Sequence, residues 1–114
     1  MKNKAMLAVF CIACFSMTAS AHPPSAINTS YDAQKGELTV TVKHDTKDTA
    51  KHYVRKIEVA KDEGVMGFEE FTSQADPAVQ KATITLKNNK RGEKVRVIAY
   101  CNLSGDKEKT IALK

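Results

Sequence analysis

Strict alternation of apolar and polar residues, repeated in several short runs, constrains this chain more than any other feature. In "ELTVTVK", Leu38, Val40 and Val42 share one side while Glu37, Thr39, Thr41 and Lys43 share the other. "ATITL" sets Ala82, Ile84 and Leu86 between threonines, and "KVRVIAYC" aligns Val95, Val97, Ala99 and Cys101. Successive side chains of a strand point to opposite faces, so a period of two with β-branched residues encodes half-buried strands. Further strands are expected at 27–31, 53–60, 68–73 and 110–113. The turn-forming stretches "DAQKG" (32–36) and "NNKRG" (88–92) should each close a hairpin. No long helical period competes with this pattern. About seven short strands predict an all-β chain folded as an immunoglobulin-like antiparallel β-sandwich.

The first residues follow a different rule. "MKNKAMLAVFCIACFSMTASA" opens with Lys2 and Lys4, continues with an apolar run over 5–18, and ends on Ala19-Ser20-Ala21. That is the layout of a secretory signal peptide with a small-residue cleavage site. The apolar run falls short of the roughly 20 residues that span a bilayer. Residues 1–21 are therefore expected to be removed, leaving one small domain over 22–114 that is periplasmic or secreted and has no membrane span. The alternative is a lipoprotein signal acylated at Cys14, although Cys11 stands where such signals carry leucine. With Lys2 and Lys4 gone, the formal net charge falls from +5 to +3. The remaining basic residues are mixed with acids, as in Lys107-Glu108-Lys109, and no basic block is interleaved with aromatics. Nucleic acid is not expected as a partner.

Cysteine usage narrows the chemistry. Cys11 and Cys14 lie in the leader, so their C-x-x-C spacing is not a redox pair of the mature protein. Cys101 stays alone, and an odd cysteine in a small exported domain needs an explanation. An intermolecular bridge, an inert buried thiol and a metal ligand all remain open. The alternation places Cys101 on the inward side at the end of its strand, before Asn102-Leu103-Ser104-Gly105 turns away. That lip position suits a ligand and a small buried hydrophobe equally.

Histidines supply the other candidates, and there are three. His44 follows "LTVTVK" and His52 precedes "YVRKIEV", so they stand at facing ends of consecutive strands. Imidazole and thiolate together suit iron, zinc or copper. Taken singly, each is an ordinary solvated loop histidine. His22 becomes the mature N-terminus if cleavage follows Ala21, offering an imidazole and an α-amine. Pro23 and Pro24 lack backbone N–H groups, so they stiffen the arm. They also remove the amide nitrogens that square-planar N-terminal copper or nickel sites use.

The combination "VKHDTKDTAKHYVRKIEV" followed by "AYCNLSG" resembles the iron-binding domain of superoxide reductases, the desulfoferrodoxin and neelaredoxin group. The "HPPS" start resembles a short secreted branch of it. The resemblance runs from His22 to about Gly105. It implies an immunoglobulin-like sandwich holding one ferrous iron by four equatorial histidine nitrogens and an axial cysteine, with an open position where superoxide is reduced to peroxide. By motif, His44 and His52 match a histidine pair of the family and Cys101 the axial ligand, while Asn102, Leu103 and Gly105 match the turn behind it. Three departures stand out. Ser104 occupies the histidine position of the family's C-N-x-H-G turn. His44 and His52 are spaced more widely than usual. The family's Glu-Lys-His loop has no counterpart. The expected metal set is His44, His52 and Cys101, with His22 as a partial replacement for the missing histidine. The expected metal is mononuclear iron, with copper or zinc as alternatives. The expected partners are superoxide as substrate and an electron donor that the sequence does not specify. The alternative is a metal-binding module without turnover.

Overall fold

A computed structural model describes residues 22–62, 64–87 and 89–114. The expected signal peptide lies outside the described residues. Seven strands follow in order: β1 Ala26–Asp32, β2 Glu37–Lys43, β3 Val54–Lys61, β4 Gly64–Glu70, β5 Val79–Thr85, β6 Lys94–Cys101 and β7 Asp106–Ala112. They form a three-stranded sheet, β1-β2-β5, and a four-stranded sheet, β4-β3-β6-β7, with every pairing antiparallel. This is the A-B-E and C-F-G arrangement of an immunoglobulin-like sandwich, with the fourth strand on the edge of the C sheet.

The alternating residues make the core. Leu38, Val40 and Val42 of β2 are fully buried, as are Ile57 and Val59 of β3 and Val97 and Ala99 of β6. Each large aliphatic side chain buried in this way contributes about 1.5–3 kcal/mol. Met66 packs partly buried against the same cluster. On one side the two sheets approach closely. A Cβ on Gly67 of β4 would lie 2.7 Å from Ile84 Cγ2 of β5, so only glycine fits there.

The hairpin at 32–36 forms as expected, joining β1 to β2 with Gly36 at φ +66°. The hairpin expected at 88–92 does not form. β5 pairs with β2 and β6 with β3, so this stretch carries the chain from one sheet to the other. Residues such as Asn and Gly release the chain from a strand without choosing its next neighbour. Strand limits shift as well. β4 begins at Gly64 rather than 68, and β7 at Asp106 rather than 110.

At the start of β3 the register slips between Val54 and Lys56, which pair with Cys101 and Tyr100. Arg55 is the extra residue of a β-bulge, a device that re-aims the neighbouring chain. It leaves Arg55 stacked over the Tyr100 ring, 4.9 Å from its centroid, on the outer face of the sheet.

Candidate metal centre

The end of β2 and the start of β3 belong to different sheets, yet they meet at one end of the sandwich. His44 directly follows β2 and His52 stands two residues before β3. Their ring centroids are 4.6 Å apart and nearly perpendicular, at 85°. His22 closes the group, with its centroid 5.0 Å from each of the other two. One nitrogen from each ring lies within 4.8 Å of the others. Cys101 stands outside this three-imidazole group. The structure therefore brings together the three histidines and leaves the thiol beside them.

Each member is held by identifiable bonds. His44 is completely buried. Its Nδ1 lies 2.9 Å from Oε1 of Gln74, itself only 3% exposed. The Gln74 amide has a fixed orientation. Its Nε2 donates to the backbone carbonyls of His44, at 2.7 Å, and Asp76, at 2.8 Å, while Oε1 also accepts the Val54 N–H at 3.2 Å. Oε1 is thus the acceptor, and Nδ1 of His44 must carry the ring proton. The Nε2 lone pair is left to face the other histidines.

The 44–53 loop brings His52 into place. The Asp48 carbonyl accepts the N–H groups of Lys51 and His52, and its carboxylate accepts those of Ala50 and Lys51. Thr49 accepts the Gln74 N–H at 2.9 Å. Asn102 then pins the end of the loop from β6. Its Oδ1 accepts the Tyr53 N–H at 2.9 Å, its Nδ2 donates to the Lys51 carbonyl at 3.0 Å, and its own N–H donates to the Tyr53 carbonyl. Burial, reinforced by the neighbouring His44 and then His22, holds His52 below the usual histidine range, against an opposing pull from the His22 backbone. Its Nε2 is buried with no hydrogen-bond partner.

His22 arrives on an arm. Ser25 donates its N–H to the Lys43 carbonyl at 2.8 Å, Pro24 is buried, and Pro23 rests on the β6–β7 turn. That contact demands glycine at 105, where φ is +72° and a Cβ would lie 3.1 Å from Pro23 Cβ. His22 Nδ1 lies 3.1 Å from the Pro23 carbonyl, its natural acceptor, which leaves Nε2 as the free donor atom.

Cys101 is a free thiol, 6% exposed, opposite Val54 in the sheet register. Its Sγ accepts the Leu103 N–H at 3.4 Å, so a backbone group serves the sulfur. Outside the imidazoles, a groove is lined by Asp45, Thr46, Lys47, Asp48, Pro77, Ala78 and Leu103 together with His22 and His52.

These residues fit a metal ion. Buried polar atoms are normally satisfied, and an orphaned imidazole nitrogen facing two others is the exception that an ion removes. Gln74 keeps a ring proton of His44 on Nδ1, which leaves Nε2 as the nitrogen available to a metal. Sequence reasoning missed Gln74 and the positioning role of Asn102. Gln74 sits in a polar loop, "TSQADP", with no periodicity to mark it as buried.

The fold and the cluster together define a small β-sandwich with an imidazole-rich candidate metal centre at one end. The desulfoferrodoxin family model matches residues 16–109, and the chain belongs to that family. Among solved structures, it is similar to a hypothetical protein from Pyrococcus horikoshii OT3, with a TM-score of 0.55 and 22% identity over 86% of this chain and 99% of that one. It is also similar to a superoxide reductase in the oxidised state, with a TM-score of 0.54 and 20% identity over 82% and 90% of the two chains. At such identities the likeness is one of fold. No curated protein matches the chain.

Proposed function

We propose that this chain is an exported mononuclear iron protein that reduces superoxide to peroxide. The observation that carries the reading is the three-imidazole cluster with the orphaned His52 Nε2, set in a chain of the desulfoferrodoxin family. His22, His44 and His52 would hold the ion, and Cys101 would add a thiolate. Bound ferrous iron would supply the one electron that, with two protons, converts superoxide to hydrogen peroxide.

The protein's own residues have separate tasks. Gln74 holds the His44 proton on the ring nitrogen away from the cluster. Asn102 ties the His52 loop to the strand that ends in Cys101. The Leu103 N–H donates to the Cys101 sulfur and helps fix its position at the end of β6. Lys47 lines the groove and offers an ammonium to an anion, although Asp45 and Asp48 beside it leave the lining with more negative than positive formal charge.

A second reading, binding of iron or copper without turnover, draws on one specific observation: Cys101 is not within the imidazole group. Metal analysis and absorption spectra of the purified protein separate the two. Iron with a visible thiolate-to-ferric band that disappears in Cys101→Ser, together with superoxide consumption above background, supports the reductase. Iron or copper unchanged by Cys101→Ser and no superoxide consumption support the module. No bound metal overturns both.

A further inference from the structure

The arm delivers more to the cluster than a side chain. His44 Nε2 lies 3.2 Å from the backbone carbonyl oxygen of His22. Gln74 has already claimed the His44 ring proton on Nδ1. In the neutral ring, Nε2 and the carbonyl oxygen therefore face each other as two acceptors with no proton between them. The contact is partly buried, and the orphaned Nε2 of His52 belongs to the same cluster. Acceptors at this separation repel unless something positive lies between them or beside both.

The separation is itself informative. Two donor atoms bound to one ion by bonds of about 2.1 Å lie roughly 3.0 Å apart at an octahedral corner and roughly 3.4 Å apart at a tetrahedral one. The His44 Nε2 to His22 oxygen distance falls in that interval. The carbonyl is not there by accident of a loose terminus. Pro23 packs on Gly105, Pro24 is buried and Ser25 is bonded to Lys43, so the peptide between residues 22 and 23 is fixed in place. Pro23 also brings no N–H, so the peptide that offers this oxygen is a tertiary amide. Such a carbonyl is a strong acceptor of the kind hard cations take.

We propose that the His22 backbone carbonyl oxygen is a metal ligand, so that the arm contributes an oxygen donor alongside the imidazole nitrogens. The inference rests on the reading of this cluster as a metal centre. It makes the donor set a mixed nitrogen and oxygen one on the arm side. It gives the His-Pro sequence a chemical task beyond stiffness. It also requires nothing of the α-amine of His22, and so is independent of where processing occurs.

Isotope-edited infrared difference spectroscopy tests this directly. The protein is produced with histidine carrying 13C at its backbone carbonyl, which marks three sites. Spectra are compared before and after anaerobic addition of Fe2+, with metal content measured on the same samples. The expected result is one labelled carbonyl band that moves to lower frequency on iron binding. The moving band is absent from labelled His22→Ala samples in which bound iron is measured, because residue 22 then carries no label. Bound iron with no labelled band moving, or with the moving band retained in His22→Ala, overturns the carbonyl ligand while leaving the metal centre standing. No bound iron overturns the metal centre and the carbonyl ligand with it.

Discussion

Gln74 concentrates the site's dependence on single atoms. One buried amide orients His44, closes the carbonyls of His44 and Asp76, and receives the first N–H of β3. Replacing it with methionine keeps the volume and removes every one of these bonds. Partners that orient a ligating histidine are worth about 10–100-fold in metal affinity. Gln74→Met should therefore weaken Fe2+ binding by that factor, read by competition with a chelator, and lower stability by about 1–3 kcal/mol through the groups left unsatisfied. A variant that binds iron as tightly as the parent would show that His44 needs no such anchor. His52 carries a proton-linked consequence. Its folded form resists protonation, so the unfolded chain takes up the proton first as pH falls below about 6.5. Stability of the metal-free protein should decline through that point and level off once folded His52 is also protonated. Urea melts across pH 5–8 should show this slope, and His52→Gln should flatten it. The histidines themselves were legible in the sequence as candidates, because imidazole is rare and their strand-end positions could be counted. Gln74 was not, because a glutamine in a polar loop looks the same whether it is solvated or buried.

Elements meet at the site through contacts that alternation does not encode. The arm before β1 lies on the turn after β6, and Gly105 is the point of contact. Gly105→Ala meets two obstacles, a left-handed backbone worth about 1–2 kcal/mol and the Pro23 ring. Gly92 is a natural comparison, with φ +84° and open space around it. Both alanine variants should melt at lower temperature, but only Gly105→Ala should also weaken metal binding by displacing His22. Equal metal affinity in the two would mean that the arm does not depend on this contact. At the opposite end, Lys61 of β3 pairs with Glu93 just before β6. The Lys61 ammonium holds the Glu93 carboxyl below the usual carboxylate range, so this stabilisation is present above the unfolded value and fades as pH falls through the folded one. Glu93→Gln should reduce the acid sensitivity of thermal unfolding below about pH 4.5. Strand existence was readable from period two, and the first hairpin from its turn residues. The β5–β6 crossover was not, since the same residues serve a hairpin and a change of sheet.

For the whole molecule, the ligands are spread along the chain while the strands between them build two sheets. An ion at the cluster therefore binds the assembled sandwich and not the open chain, and it stabilises by mass action. At a free concentration of 100 Kd the gain is about 2.7 kcal/mol. The melting temperature should rise with added Fe2+ and fall on chelation. A melting point indifferent to both would remove the link between folding and the cluster. The two termini of the sandwich are unlike in this respect. β6 reaches the cluster end at Cys101, and β7 runs back so that Ala112 pairs with Lys94 at the far end. An eight-residue strand rises about 3.3 Å per residue, which puts Lys114 roughly 25 Å from the imidazoles. His22 opens the arm that Pro23 presses against the turn. A histidine tag placed there would bring competing imidazoles to the cluster and distort every metal count. The same tag after Lys114 would hang free at the other pole, which makes the carboxyl end the place for handles, surfaces and fusion partners.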